Sequence, residues 1–231
     1  MSVSQALESV LARPVWHALA GRQNALAIGD ARARRFDPEL ASFAAAADDD
    51  PATLEAMAAL APEPEAALLL VERTPALPPG FVATSRRTCV QMVAERVTPG
   101  PVPEDLVELG DADAAEMLAL ATLTVPGPFY RRTHQFGGFV GVRRGGRLVA
   151  MAGERLKLPG LTEVSGVCTH PDARGQGLAE QLSRVVAERI VARGDQPFLH
   201  SYAENATAVA LYERLGFTIR SEVQAVSIVR A

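Results

Sequence analysis

The stretch His170-Pro171-Asp172-Ala173-Arg174-Gly175-Gln176-Gly177-Leu178-Ala179 constrains this chain more than any other. It stands between Thr162 to Thr169, which reads as a strand, and a long helix from about Arg174 to Ala192. In that helix apolar Leu178, Leu182, Val185, Val186 and Ile190 recur at the helical period. Two glycines at such a junction let the backbone come close to a ligand, and the first helical turn offers N–H groups without an internal partner. That combination suits a pyrophosphate. The dinucleotide pattern GxGxxG/A would need a small residue at 180, where Glu180 stands, and the Walker pattern GxxxxGK[ST] is absent. The pattern that does occur is [Q/R]-x-x-G-x-[G/A], through Arg174, Gly177 and Ala179.

The surrounding elements predict a mixed α+β sheet. Asp111 or Asp113 caps a helix through Leu123. Phe139 to Arg143 and Arg147 to Ala152 are strands about Gly145-Gly146, and Pro159-Gly160 turns the chain into the next strand. Phe198 to Ala203 is a strand, Asn205 to Leu215 a helix, and the chain returns as strand from Gly216. Thr98 to Pro103 holds three prolines and a glycine and reads as a linker. The expected division is therefore 1–97, a linker at 98–103, and 104–231. In the first part Leu54 to Leu60 reads as a helix capped by Asp50 or Thr53. Ala66 to Val71 and Cys89 to Ala94 read as short strands, with loops at Asp48 to Pro51 and Pro75 to Gly80.

Composition narrows the function classes. With 231 residues, 48% hydrophobic and 22% charged, the chain can form a packed core. A net charge of −4 and a pI near 5.6 disfavour a nucleic-acid binder. No apolar run reaches the roughly 18 residues of a membrane-spanning helix. The N-terminal MSVSQALESVLAR has no secretory pattern, and Cys89 and Cys168 have no metal-ligand or disulfide spacing. A cytoplasmic protein without a metal, not attached to a membrane, is expected.

A second motif follows the first by about thirty residues. It is Asn205-Ala206-Thr207-Ala208-Val209-Ala210-Leu211-Tyr212-Glu213-Arg214-Leu215-Gly216-Phe217. Asn205 is suited to cap the helix, Ala208, Leu211 and Leu215 to form its buried face, and Gly216 to end it. Its fixed positions resemble N-x-x-A-x-x-L-Y-x-x-x-G-F of the GNAT superfamily of N-acetyltransferases. The Arg174–Ala179 turn resembles that family's acetyl-CoA pyrophosphate loop. The resemblance covers roughly 104–231. It implies the GNAT acyl-CoA N-acyltransferase fold, a mainly antiparallel sheet flanked by helices. Residues 1–97, similar to the N-terminal halves of two-part bacterial members, are expected to be a degenerate GNAT-like half that shapes the acceptor cleft.

The resemblance implies acyl transfer from acetyl-CoA, or another acyl-CoA, to a primary amine by direct attack. Its alternative is a noncatalytic acyl-CoA-binding module that kept the fold. Tyr212 is the family-matched acid for the departing thiolate. Backbone groups of Val167, Cys168 and Thr169 are expected to pair with the thioester and pantetheine arm. Arg174, Gly175, Gln176, Gly177, Leu178 and Ala179 are expected at the pyrophosphate, with Asn205 beside them. Glu163 is the candidate base: four residues before Val167, it would share that residue's strand face. His200 and His170 are weaker candidates, and Cys168 has no partner that would make it a nucleophile. The arginines at 131, 132, 143, 144 and 147 read as solvated surface in preference to contacts for the CoA 3′-phosphate or an acidic acceptor. The strand region Thr218 to Arg230 offers an edge at which a second copy could pair.

Overall fold

The computed structural model describes residues 3–61 and 67–231. In chain order these form helices α1 (Val3–Ala12) and α2 (Pro14–Ala20), strands β1 (Ala27–Gly29), β2 (Ala33–Phe36) and β3 (Ala44–Ala46), and helix α3 (Pro51–Ala59). Strands β4 (Leu68–Glu72), β5 (Phe81–Ala94) and β6 (Leu106–Glu108) lead to helix α4 (Ala114–Thr124). Next come β7 (Val140–Arg144), β8 (Arg147–Leu158), β9 (Leu161–Thr169), α5 (Leu178–Ala192), β10 (Gln196–Tyr202), α6 (Ala206–Arg214) and β11 (Phe217–Arg230). The fold is α+β, and its strand pairs are mainly antiparallel.

The chain divides into two compact units. The first takes Met1–Val90, Leu156–Pro159 and Ser221–Ala231. Its small sheet runs β1-β2-β3, and β4 pairs antiparallel with residues 224–228 of β11. Ala33, Ala44 and Ala46 pack with Met57, Leu68, Leu70, Phe81, Val226 and Ile228. α3 starts three residues before the expected Leu54, because Pro51 at its first position already has the helical φ. Thr53 lies inside that helix and its hydroxyl donates to Asp48 Oδ1 at 2.6 Å. Ala66, where the next strand was expected to begin, lies outside the described residues.

The second unit takes Gln91–Arg155 and Gly160–Arg220. Its strands lie in the order β11-β5-β10-β9-β8-β7-β6. α4 begins after Asp113, whose Oδ2 accepts from the Gly110 N–H at 3.0 Å. Met117, Leu120 and Ala121 of α4 cover Phe139, Leu148, Met151 and Cys168. The apolar residues expected on α5 (Leu178, Leu182, Val185, Val186 and Ile190) are all buried. The helix itself begins at Leu178, four residues later than expected. Gly175 at φ +77° and Gly177 at φ +73° hold a left-handed conformation that a right-handed helix cannot include. Thr98 to Pro103 lies within this unit: the Thr98 N–H donates to Leu215 O at 2.9 Å, and Arg184 Nε donates to Thr98 O at 2.9 Å.

Candidate active site

The site begins where two strands stop pairing. β10 runs parallel to β9, with Gln196, Pro197 and Phe198 in register with Leu161, Thr162 and Glu163. β9 continues beyond those pairs to Thr169. Within that continuation Gly166 has φ +64°, and a Cβ there would lie 2.8 Å from the Phe139 ring. A residue in that conformation breaks the alternation of a strand. The period-two argument that gave Glu163 and Val167 a common face therefore does not carry through. Glu163 is fully buried, whereas Val167 is half-buried.

Glu163 is tightly held. Arg155 Nη2 donates to its Oε1 at 2.6 Å and Nε to its Oε2 at 2.9 Å, and His200 Nδ1 lies 2.8 Å from Oε1. Burial alone would push this carboxyl up. The Arg155 charge and hydrogen bonds, joined by His200, outweigh burial and bring it down to about 2. It is a carboxylate throughout the neutral range.

Tyr212 projects from α6, with its ring edge-on to Phe217 at 6.0 Å between centroids. Its side chain as a whole is half-buried, but the phenol is desolvated. That burial, tempered by Arg155 and reinforced by Glu163, pushes the hydroxyl up to about 12. The structure thus sets Tyr212 within electrostatic reach of the Arg155–Glu163 pair.

Cys168 turns into the α4-facing cluster, where burial pushes its thiol up to about 11 against a hydrogen bond from Thr124. Only its backbone can face a ligand. Thr169 Oγ1 is buried without a hydrogen-bond partner. His170 is a turn residue whose Nδ1 accepts from the Asp172 N–H at 3.2 Å.

Arg174, Gly175, Gln176 and Gly177 are exposed, Leu178 is buried, and Ala179 is half-buried at the start of α5. A Cβ on Gly175 would meet nothing, and one on Gly177 would reach only the Gln181 amide nitrogen at 3.3 Å, so the turn is open to solvent. Glu180 does not leave a bare negative charge there, because it pairs with Arg214 at 2.8 Å and Arg184 at 3.1 Å. Asn205 caps α6 as expected, its Oδ1 accepting from the Ala208 N–H at 3.1 Å. The expected buried face of α6 is incomplete: Leu215 is buried, while Ala208 and Leu211 are only half-buried.

The structure therefore gathers Glu163, His200 and Tyr212 with one residue that the sequence reading missed, Arg155. Its signal was faint: Arg155 and Glu163 stand four residues either side of Pro159, with opposite charge across a hairpin. The arginines expected at the surface are mostly ion-paired, Arg143 with Asp113 and Glu116 at 2.6 Å, Arg144 with Asp105, and Arg147 with Asp172 at 3.4 Å. Among the described residues no group of three His, Cys, Asp or Glu side chains is placed to hold a metal ion.

Comparison with known proteins gives concordant results. The family model described as FR47-like protein matches residues 139–226. A structure of a GNAT-family protein from Novosphingobium aromaticivorans DSM 12444 is 43% identical, over 96% of this chain and 98% of that one, with a TM-score of 0.89. A GCN5-related N-acetyltransferase from Kribbella flavida shares the fold at 19% identity, over 100% of this chain and 96% of that one, with a TM-score of 0.64. A 78-residue stretch is 37% identical to mycothiol acetyltransferase of Mycobacterium leprae, which is 31% of this chain and 25% of that protein. The match to that curated relative thus spans a quarter of its length.

Proposed function

Because this chain belongs to the GNAT family, we propose that it transfers an acyl group, most simply acetyl, from acyl-CoA to an amine. The observation that carries the reading is the placement of Tyr212: its phenol is desolvated and within electrostatic reach of Arg155 and Glu163, on the helix that follows β10. A group that keeps its proton at neutral pH can hand it to a departing thiolate.

The residues present fit the cosubstrate. The exposed turn Arg174–Gly177 and the first N–H groups of α5, at Leu178 and Ala179, are suited to its pyrophosphate. The β9 backbone from Val167 to Thr169, beyond the last register pair with β10, is suited to the pantetheine arm and thioester carbonyl. The unpartnered Thr169 hydroxyl adds a donor on the same segment. Asn205 acts one step removed, by holding the first turn of α6 and hence Tyr212.

Glu163 is the sequence candidate for the base, and its setting limits how it can serve. Enclosed and paired with Arg155 and His200, it reaches an amine only through a neighbour.

The acceptor class is open to a direct screen. Calorimetry with acetyl-CoA should show binding, and incubation with a panel of small amines, amino acids and peptides should release free thiol. Tight acetyl-CoA binding with no thiol release from any acceptor would replace this reading with that of a noncatalytic acyl-CoA module. Absence of acyl-CoA binding would remove both.

A further inference from the structure

Five polar side chains form a continuous row inside the second unit. Arg220 Nη1 donates to Gln91 Oε1 at 2.7 Å, which identifies that atom as the amide oxygen. The Gln91 amide nitrogen, a donor only, then faces His200 Nε2 at 3.0 Å. A ring nitrogen that receives a hydrogen bond must hold a lone pair, so the single ring proton belongs on Nδ1. Nδ1 is the atom that meets Glu163 Oε1 at 2.8 Å. Arg155 then holds both oxygens of Glu163. The five residues come from β11, β5, β10, β9 and β8, which is the strand order of the sheet itself.

The row crosses the sheet at a particular place. Glu163 and Phe198 are the last residues in register between β9 and β10, and His200 lies two residues further along β10. The Glu163–His200 bond is therefore the side-chain link between these strands where their backbone register ends. Gln91 and Glu163 are fully buried and the His200 side chain is 6% exposed, so water can substitute for little of it. The Phe198 ring meets the His200 ring edge-on at 5.7 Å, which limits rotation. The opposite tautomer would turn an N–H toward the Gln91 amide protons and a lone pair toward a carboxylate, two repulsive contacts in a desolvated setting.

We propose that His200, accepting at Nε2 from Gln91 and donating from Nδ1 to Glu163, is a positioning residue that sets the separation of β9 and β10 at the acyl-CoA subsite. This rests on the acyl-CoA reading above. Glu163 then serves as the fixed anchor of His200 and Arg155. The role of the row is to fix the two strands at one defined spacing where their register ends.

Nitrogen-15 NMR of the full chain labelled at histidine reads the tautomer directly. The chain has four histidines, and the His200 signals are those lost in His200→Gln. The expected result is a ring protonated at Nδ1 with the lone pair on Nε2. A ring protonated at Nε2, or at both nitrogens, overturns the proposal. Calorimetry supplies the functional arm. Gln91→Leu removes the donor that fixes the tautomer, and Gln91→Glu keeps the shape but presents an acceptor. Each should weaken acetyl-CoA binding by about tenfold, the size of one lost buried hydrogen bond. Unchanged affinity in both variants overturns the positioning role while leaving the acyl-CoA reading intact. Failure of the unaltered protein to bind acetyl-CoA defeats the acyl-CoA reading, and the tautomer result stands or falls apart from it.

Discussion

Tyr212 and Glu163 sit in the same desolvated region and respond to it in opposite ways, because one has a cationic partner bound to it and the other does not. With its hydroxyl pushed up to about 12, Tyr212 stays protonated across the working pH range. Tyr212→Phe should therefore lower acyl transfer by about 10²–10⁴-fold, the usual worth of a positioned acid, with acetyl-CoA affinity unchanged by calorimetry. Glu163 gives a prediction of stability. Its carboxyl is lowered on folding from the ordinary 4.5 to about 2. The stabilisation is fully present above the unfolded value and is lost as pH falls through the folded one. From pH 5 down to 2 about 3 kcal/mol should disappear from the unfolding free energy measured in denaturant. Glu163→Gln should flatten that decline; an equally steep decline in the variant would contradict it. At this scale the sequence singled out Tyr212, Glu163 and Asn205 as candidates, because each lies in or near a readable local motif. It hid Gln91 and Arg220, which are 109 residues from His200 and 129 from Gln91 respectively. No local pattern records a partner so distant.

Elements with a strong period were legible and those without one were not. The five apolar residues expected on α5 are buried at helical spacing, and only its start was misplaced, because glycine permits a helix start but does not mark it. β5 runs from Phe81, well before the expected Cys89. The polar stretch Thr84 to Arg87 shows no alternation of buried and exposed positions that would announce a strand. The short β1, β2, β3 and β6 have three or four residues each, too few for a period to show. The glycines of β9 and the following turn do different work, and substitution separates them. Gly166→Ala would place a methyl group 2.8 Å from Phe139 in a left-handed conformation. It should cost about 2–4 kcal/mol in a denaturant melt, as strain and overpacking add. Gly175→Ala meets no atom within 4 Å and bears only the backbone strain, about 1 kcal/mol. Equal losses at the two positions would mean that the Phe139 contact does not constrain β9.

For the molecule as a whole, the division of sequence at 97/98 and the division into compact units ask different questions. The proposal that 104–231 is the working part follows the motifs. The second unit nevertheless includes Gln91–Ala94 of β5, set between β11 and β10, with Thr218 Oγ1 donating to Val93 O at 3.4 Å. A fragment of residues 104–231 would lack that strand. It should remain unfolded or aggregate, with no cooperative thermal transition, whereas the full chain should melt cooperatively. A folded fragment that binds acetyl-CoA would instead support independence of the sequence halves. The same placement of β5 bears on how the protein is made. β5 leaves the ribosome long before β10 and β11, the two strands that flank it, so its residues in the second unit wait through most of synthesis for their neighbours. Chaperones that shield an apolar strand during that interval would protect the segment Cys89 to Ala94 first.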